Sequence, residues 1–199
     1  AHLRAYLRRL LDRLELEHDN LRATIDRAVA DGDGETAIAL AHALWRFWQQ
    51  RGYLNEARGR LDAIAAKGWT LTDSLTGRLF EALGGIAYWQ RDYGAADHHY
   101  QEALAISRAL DDRHGIADAT YNLAFVFAEQ LAAGKPDWAS GQNAIRLLRD
   151  ALAQFEELDD PAGVAKAKGN IAFYLAGQGD IDSAKPLLEE AIAGYRQLG

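Results

Sequence analysis

Histidines, carboxylates and lysines that could do chemistry are plentiful in this chain of 199 residues, yet their spacing assembles no set. Six histidines occur: His2, His18, His42, His98, His99 and His114. A helical metal site takes two histidines at i and i+4 with a third ligand nearby. No two here stand four apart, and the adjacent His98 and His99 would point about 100° apart on a helix. The carboxylate pairs Asp111-Asp112, Asp159-Asp160 and Glu156-Glu157 recur with the internal repeat. Residues recurring in register serve the repeated unit, here by capping helix N–H groups and countering the helix dipole. An acid–base pair for hydrolysis would be unique. A phosphate-cradling loop needs Gly-x4-Gly-Lys-[Ser/Thr]. Gly134-Lys135 runs into Pro136 instead, with Glu129 where the first glycine should stand. No cysteine is present, so thiolate chemistry, disulfides and cysteine-based zinc are excluded. The reading is no enzyme, with no catalytic residues, metal or cofactor, apart from groups that only folding would bring together.

Aromatic residues carry more signal. Trp45, Phe47, Trp48, Trp69, Trp89, Trp138, Tyr88, Tyr121, Phe125, Phe173 and Tyr174 gather on one class of segment. Trp48, Tyr100 and Phe127 are expected in the core, but not every aromatic can be. The segments follow from repetition. Leu110-Asp111-Asp112-x-x-Gly115-x-Ala117-x-Ala119 returns as Leu158-Asp159-Asp160-x-x-Gly163-x-Ala165-x-Ala167, 48 residues on. Beside it runs a small-x3-large-x2-small pattern: Ala96-Tyr100-Ala103, Ala144-Leu148-Ala151, Ala184-Leu188-Ala191, and a looser Ala57-Leu61-Ile64. Positions i, i+4 and i+7 share one helix face, and alanine there admits a close neighbour. Upstream of the copies lie further apolar helices around Leu83-Gly84, Leu123-Ala124 and Ile171-Ala172. Turn signals, Arg91-Asp92-Tyr93-Gly94 and Gly179-Asp180-Ile181, separate the members of a pair. Asp160-Pro161 marks a helix start, and Pro186 is expected in a first turn after Asp182-Ser183.

Helix, turn, helix, with Leu83, Gly84, Tyr93, Ala96, Tyr100, Ala103 and Leu104 in order, resembles the tetratricopeptide repeat. Ala87 stands where that pattern usually has an aromatic, although Tyr88 is adjacent. The resemblance covers about residues 36–199. It implies an all-α fold, an α-solenoid of antiparallel helix hairpins in a right-handed superhelix of about nine or ten helices. The units run roughly 35–70, 74–111, 113–159 and 161–199 after an N-terminal helical cap over 1–34. Extra residues around Ala132–Trp138 lengthen the third unit.

Composition narrows the partners. The chain is 49% hydrophobic and 26% charged, with net charge -7 and pI near 5.3. That argues against direct nucleic-acid contact, which needs clustered Lys and Arg. Arg4, Arg8, Arg9 and Arg13 are locally basic but are followed at once by acids, so they read as a solvated helix face. No apolar run reaches membrane-spanning length and no secretory signal is present, so the expectation is a cytoplasmic protein with no membrane contact. Methionine is absent even at position 1, and Tyr195-Arg196-Gln197-Leu198-Gly199 aligns with Ser107-Arg108-Ala109-Leu110-Asp111. Both features suggest a fragment of a longer array.

The run Glu17-x-Asp19-Asn20-Leu21-Arg22-Ala23, then Phe47-Trp48, Arg51-Gly52 and Glu56-Ala57, resembles a second family. It is similar to the segment that joins the nucleotide-binding part to the repeats in STAND-class ATPases, bacterial regulators that include large LuxR-type activators and cyclase-linked relatives. Asp26-Arg27 and Arg60-Leu61-Asp62 depart from the usual Asp-Trp and Arg-Trp-Leu. The resemblance implies a cytoplasmic regulator whose repeats sense a ligand or partner and gate an ATPase elsewhere.

In the tetratricopeptide pattern, first-helix positions one step round from the packing positions line the groove. That register implies His42, Arg46 and Gln49; Arg78, Glu81, Tyr88 and Trp89; Asp118, Tyr121, Asn122 and Phe125; and Lys166, Asn170 and Phe173. Asn122 and Asn170 are equivalent, 48 apart. An amide offers the donor and acceptor that a peptide unit needs, while Arg46, Arg78 and Lys166 suit carboxylates. The expected partner is therefore a protein or peptide, or the parent protein's own upstream ATPase domains. Two alternatives stay open: the asparagines bond the neighbouring helix, or an aromatic pocket near Trp45, Tyr88 and Trp89 holds a small molecule. Residues 35–50 also read either as the first helix of a hairpin or as the second helix of one starting near Leu14.

Overall fold

The computed structural model describes residues 2–70, 72–134 and 138–198, without the side chains of 2–7 and 130–141. The Lys135-Pro136 step and the side chain of Trp138 lie outside the described residues. Ten helices follow one another: α1 His2–Leu16, α2 His18–Asp31, α3 Gly34–Arg51, α4 Leu54–Ala65, α5 Asp73–Trp89, α6 Tyr93–Ala109, α7 Arg113–Gly134, α8 Trp138–Glu157, α9 Pro161–Gly177 and α10 Ile181–Leu198. Among the described residues there is no strand. The chain divides into two compact units, Ala1–His99 and Tyr100–Gly199.

One junction design recurs. A residue with positive φ ends a helix, and the next residue opens the following one. At six junctions the left-handed residue is Gly32, Gly52, Arg91, Asp111, Asp159 or Gly179, while Gly68 takes positive φ in the longer α4–α5 turn. Asp33, Asp92, Asp112, Asp160 and Asp180 follow five of them, each accepting a backbone N–H of the new helix at 3.0–3.2 Å. Each such bond satisfies a donor that has no intrahelical partner. The repeated aspartate pairs therefore divide their labour. The second aspartate caps, while the first takes a φ of 53° or 52°, a region that Asp tolerates better than most side chains. Glu156 and Glu157 cap nothing; they pair with Lys168 and Arg113. Because Asp180 caps α10, Pro186 is that helix's sixth residue and lies beyond the first turn where the sequence placed it.

The phrase's glycine has a packing reason. A Cβ on Gly163 would fall 2.5 Å from Phe155 Cγ, and one on Gly115 would meet Ser107 and Asp112. Ala117, Ala119, Ala165 and Ala167 are buried. The small-large-small rows are buried through Ala57-Leu61-Ile64, Ala96-Tyr100-Ala103 and Ala144-Leu148-Ala151. The last row breaks the pattern, because Leu188 is open to solvent between buried Ala184 and Ala191. Trp48 and Tyr100 are core, whereas Phe127 is only half-buried.

In the first unit, α3 packs against α2, α4 and α5. It lies beside α5 as one first helix beside another, with α2 preceding both. Helix α2 is joined to α3 and α4 by side-chain contacts. Trp48 Nε1 donates to Nε2 of buried His18 at 3.1 Å, Arg22 Nε donates to Glu56 at 2.7 Å, and Phe47 meets the His18 ring edge-on at 5.2 Å. Partial burial works against the Glu56 carboxylate, but Arg22 and Arg60 outweigh it and hold its pKa below the usual range. In the second unit, α8 and α9 share a core of Ile145, Leu148, Phe155, Ala167 and Ile171, and α10 packs on α9.

Candidate binding face

On α7 and α9 the implied groove residues meet one another. Lys166 Nζ stands 3.2 Å from Asp118 Oδ1 and 4.0 Å from the Tyr121 ring centroid. Asn170 donates through Nδ2 to the Tyr121 hydroxyl at 2.7 Å and to its own helix's Lys166 carbonyl at 2.8 Å. Both amide hydrogens are thereby engaged, so Asn170 keeps only its carbonyl oxygen for a ligand. Its equivalent, Asn122, makes no side-chain hydrogen bond among the described residues. The two asparagines thus differ, one tying neighbouring helices together and the other open.

Aromatic rings continue this face. Phe125 is half-buried between Tyr121 at 4.9 Å and Tyr174 at 6.3 Å. Phe173 is 71% exposed, with its ring 5.6 Å from Tyr174. Burial, aided by the Glu129 carboxylate, pushes the Tyr174 hydroxyl up to about 12, so it remains neutral at ordinary pH. The face therefore offers an open amide and an exposed ring on a floor of packed aromatics.

The first unit has a related but more polar face. His42 Nε2 lies 3.0 Å from Glu81 Oε2, joining α3 to α5 as Asp118 and Lys166 join α7 to α9. Arg46 lays its guanidinium 3.8 Å from the centroid of Trp45. Stacking leaves the in-plane donors of a guanidinium free. Trp45 itself is 4% exposed and lies on Gly85, where an added Cβ would come within 2.5 Å of the indole. Helix α5 needs a glycine at this site to let the ring in. Arg78 is exposed, and neither Arg46 nor Arg78 has a carboxylate partner among the described residues. Trp89 is 49% exposed and meets Tyr88 edge-on at 5.9 Å, with Tyr88 also 5.8 Å from Tyr93. With Trp45 filled in this way, Trp45, Tyr88 and Trp89 form no open aromatic wall.

Sequence reasoning missed a cavity of about 450 Å³ in the second unit, between the end of α8, the start of α9 and α10. Phe155, Val164, Ala165 and Gly194 supply apolar lining, and Lys168 bridges Glu190 at 2.8 Å and Glu156 at 3.6 Å at its rim. The hydrogen bond to Glu190 raises the Lys168 pKa, against partial desolvation. The carboxylates that make this site lie 34 residues apart in sequence, so no local pattern announces it. Among the described residues no group of three His, Asp or Glu could hold a metal, and no helix is long and apolar enough to cross a membrane.

A model of the tetratricopeptide repeat family matches residues 76–114 and 164–198, which are the α5–α6 and α9–α10 hairpins. Three solved structures share the fold. BtubC (BKLC) from P. vanneervenii superimposes with a TM-score of 0.72 at 21% identity, over 94% of this chain and 75% of that one. MamA gives 0.60 at 18% identity, over 94% and 95%. TPR-like repeats from Podosopora anserina give 0.61 at 17% identity, over 94% and 97%. No curated protein matches the chain. At these identities the likeness shows the fold alone: an all-α assembly of tetratricopeptide-like helical hairpins, the α-solenoid class.

Proposed function

We propose that the first-helix faces, α7 with α9 and α3 with α5, dock an extended peptide or protein segment. In this reading the chain is a non-catalytic interaction or sensor domain. The observation that carries it is the set of side chains on these faces that do not serve the fold. The Asn122 side chain makes no hydrogen bond, Phe173 is 71% exposed, and Arg46 and Arg78 have no carboxylate partners, all among the described residues. An amide matches a peptide unit, a ring accepts an apolar side chain, and a stacked guanidinium takes a carboxylate in bidentate fashion. Tyr121, Phe125, Lys166 and Asn170 form the supporting floor, with Tyr88 and Trp89 extending the α5 face. A peptide-array screen on the purified chain tests the assignment. The double variant Asn122→Ala/Phe173→Ala should weaken the selected peptides at least tenfold with an unchanged melting temperature. Undiminished binding would remove the face from the account.

From the N-terminal resemblance we further propose that this domain belongs to a bacterial signal-transduction ATPase or transcriptional regulator acting in the cytoplasm. The parent's own ATPase domains are then candidate occupants of the same faces. Support comes from the residues carrying the resemblance, which join α2 to α3 and α4 through His18–Trp48 and Arg22–Glu56. A gene encoding no phosphate-binding Gly-x4-Gly-Lys-[Ser/Thr] loop upstream of this segment would end that part of the proposal.

A second reading is a small-molecule sensor. The 450 Å³ cavity beside Lys168 favours it, since ligand pockets commonly span about 300–1,000 Å³. Saturable thermal stabilisation by a metabolite, lost in Gly194→Leu, would support it.

A further inference from the structure

The cavity beside Lys168 departs from the repeat around it. Three consecutive helices wall it: the end of α8, the first turns of α9, and the side of α10 that carries Glu190, Gly194 and Gln197. Counting back 48 residues on α8 and α9, and 40 on α10, gives the same place between α6, α7 and α8. There Gln154 stands for Gly194, and its side-chain oxygen is buried without a hydrogen bond. Arg113 stands for Pro161 and Glu157 for Gln197, and these two are joined at 2.5 Å. Buried Thr120 stands for Lys168. The earlier place therefore carries a long side chain and an ion pair across its rim. The later one has neither, so packing of the hairpins does not itself require an opening of about 450 Å³.

What the walls can hold follows from their donors and acceptors. Pro161 has no N–H. Ala162 and Gly163 give theirs to Asp160 Oδ1 at 3.0 Å, and Val164 gives its own to the Asp160 carbonyl at 3.0 Å. The start of α9 thus has no free donor to offer an anion. Lys168, with its side chain 20% exposed, is already held between Glu190 and Glu156. Two further carboxylates, Asp159 and Asp160, line the same cavity. Asp160 is engaged as the cap, whereas Asp159 makes no side-chain hydrogen bond or ion pair among the described residues. Val164, Ala165 and Gly194 give the remaining wall an apolar surface.

We infer that this cavity takes a small organic cation, a primary amine on an apolar body, with its ammonium at Asp159 and its body over Val164, Ala165 and Gly194. An ammonium–carboxylate pair is a charge-assisted hydrogen bond, stronger than a neutral one. Excess negative charge on the walls disfavours a carboxylate or phosphate in the same space. The assignment rests on the small-molecule reading above and adds the chemical class of the ligand. It is independent of the peptide face on α7 and α9.

The test uses the full chain and three probes of one shape: phenethylamine, phenethyl alcohol and hydrocinnamate. Titration followed by heteronuclear NMR gives each affinity and locates each probe through shifts at Val164, Ala165 and Gly194. The amine should bind at these residues about tenfold more tightly than the alcohol, and hydrocinnamate should not bind there. Asp159→Asn should weaken the amine about fivefold or more while leaving the alcohol's affinity and the melting temperature unchanged. Equal or tighter binding of the alcohol or hydrocinnamate at these residues would overturn the cation assignment and leave the small-molecule reading standing. An amine affinity indifferent to Asp159→Asn, or amine shifts confined to other residues, would overturn it as well. So would the absence of a saturable shift from all three probes, while the metabolite screen with Gly194→Leu judges the broader reading separately.

Discussion

Asp159 and Asp160 are adjacent, identical in type and different in function. Asp160 holds two N–H groups of α9 at 3.0 Å, so Asp160→Ala should lower stability by roughly 1 kcal/mol in urea unfolding. Asp159 sits at φ 52° and caps nothing, so Asp159→Asn, which tolerates the same conformation, should leave the urea midpoint nearly unchanged. Gly163→Ala drives a methyl into the buried Phe155 ring and should destabilise by about 1–3 kcal/mol. Tyr174 makes a pH prediction. Its folded pKa, near 12, lies above an ordinary tyrosine near 10. The linked stability is complete below about pH 10 and declines as pH rises toward 12. Absorbance titration of Tyr174→Phe against the unsubstituted chain should therefore lose a phenolate that forms well above pH 10. The Asp-Asp-x-x-Gly phrase was readable as a repeat from spacing alone. The separate duties of its two aspartates were not, because left-handed backbone is a property of the turn and not of the residue type. The same gap applies to Asn170, whose match with Asn122 in sequence hides a bond to Tyr121 made across 49 residues.

Helices were legible because each carries its own period and punctuation. Every interhelical turn that the sequence marked, at Arg91-Asp92 and Gly179-Asp180, falls between helices of the structure. What the sequence did not reveal is how α1 and α2 attach, since that depends on side chains more than 30 residues apart. Arg22 of α2 reaches Glu56, Asp26 of α2 pairs with Arg60, and Arg51 reaches Asp12 of α1. Glu56 is held below its ordinary pKa, so the contribution is complete above the unfolded value near 4.3 and is lost as pH falls through the folded one. Glu56→Gln should accordingly make the stability of the Ala1–His99 unit less sensitive to acid as pH falls below the unfolded value, as followed by urea unfolding at each pH. Trp45 is a second case. Its aromatic character suggested a ligand wall, but Gly85 on the next first helix makes room to bury it, and that pairing is visible only once α3 lies on α5.

Within each unit, tetratricopeptide-like hairpins bury small-residue faces in that unit's core and leave some first-helix side chains facing solvent. The family of folds was legible in the 48-residue recurrence, whereas the division into Ala1–His99 and Tyr100–Gly199 has no punctuation in sequence because it falls inside α6. The central functional claim concerns where a bound segment lies. Hydrogen exchange of the full chain with an array-selected peptide locates it, comparing α7 and α9 with α8 and α10. Added protection around Asn122 and Phe173, abolished by substituting both, is the predicted result. Protection confined to α8 and α10 with α7 and α9 unchanged would contradict it.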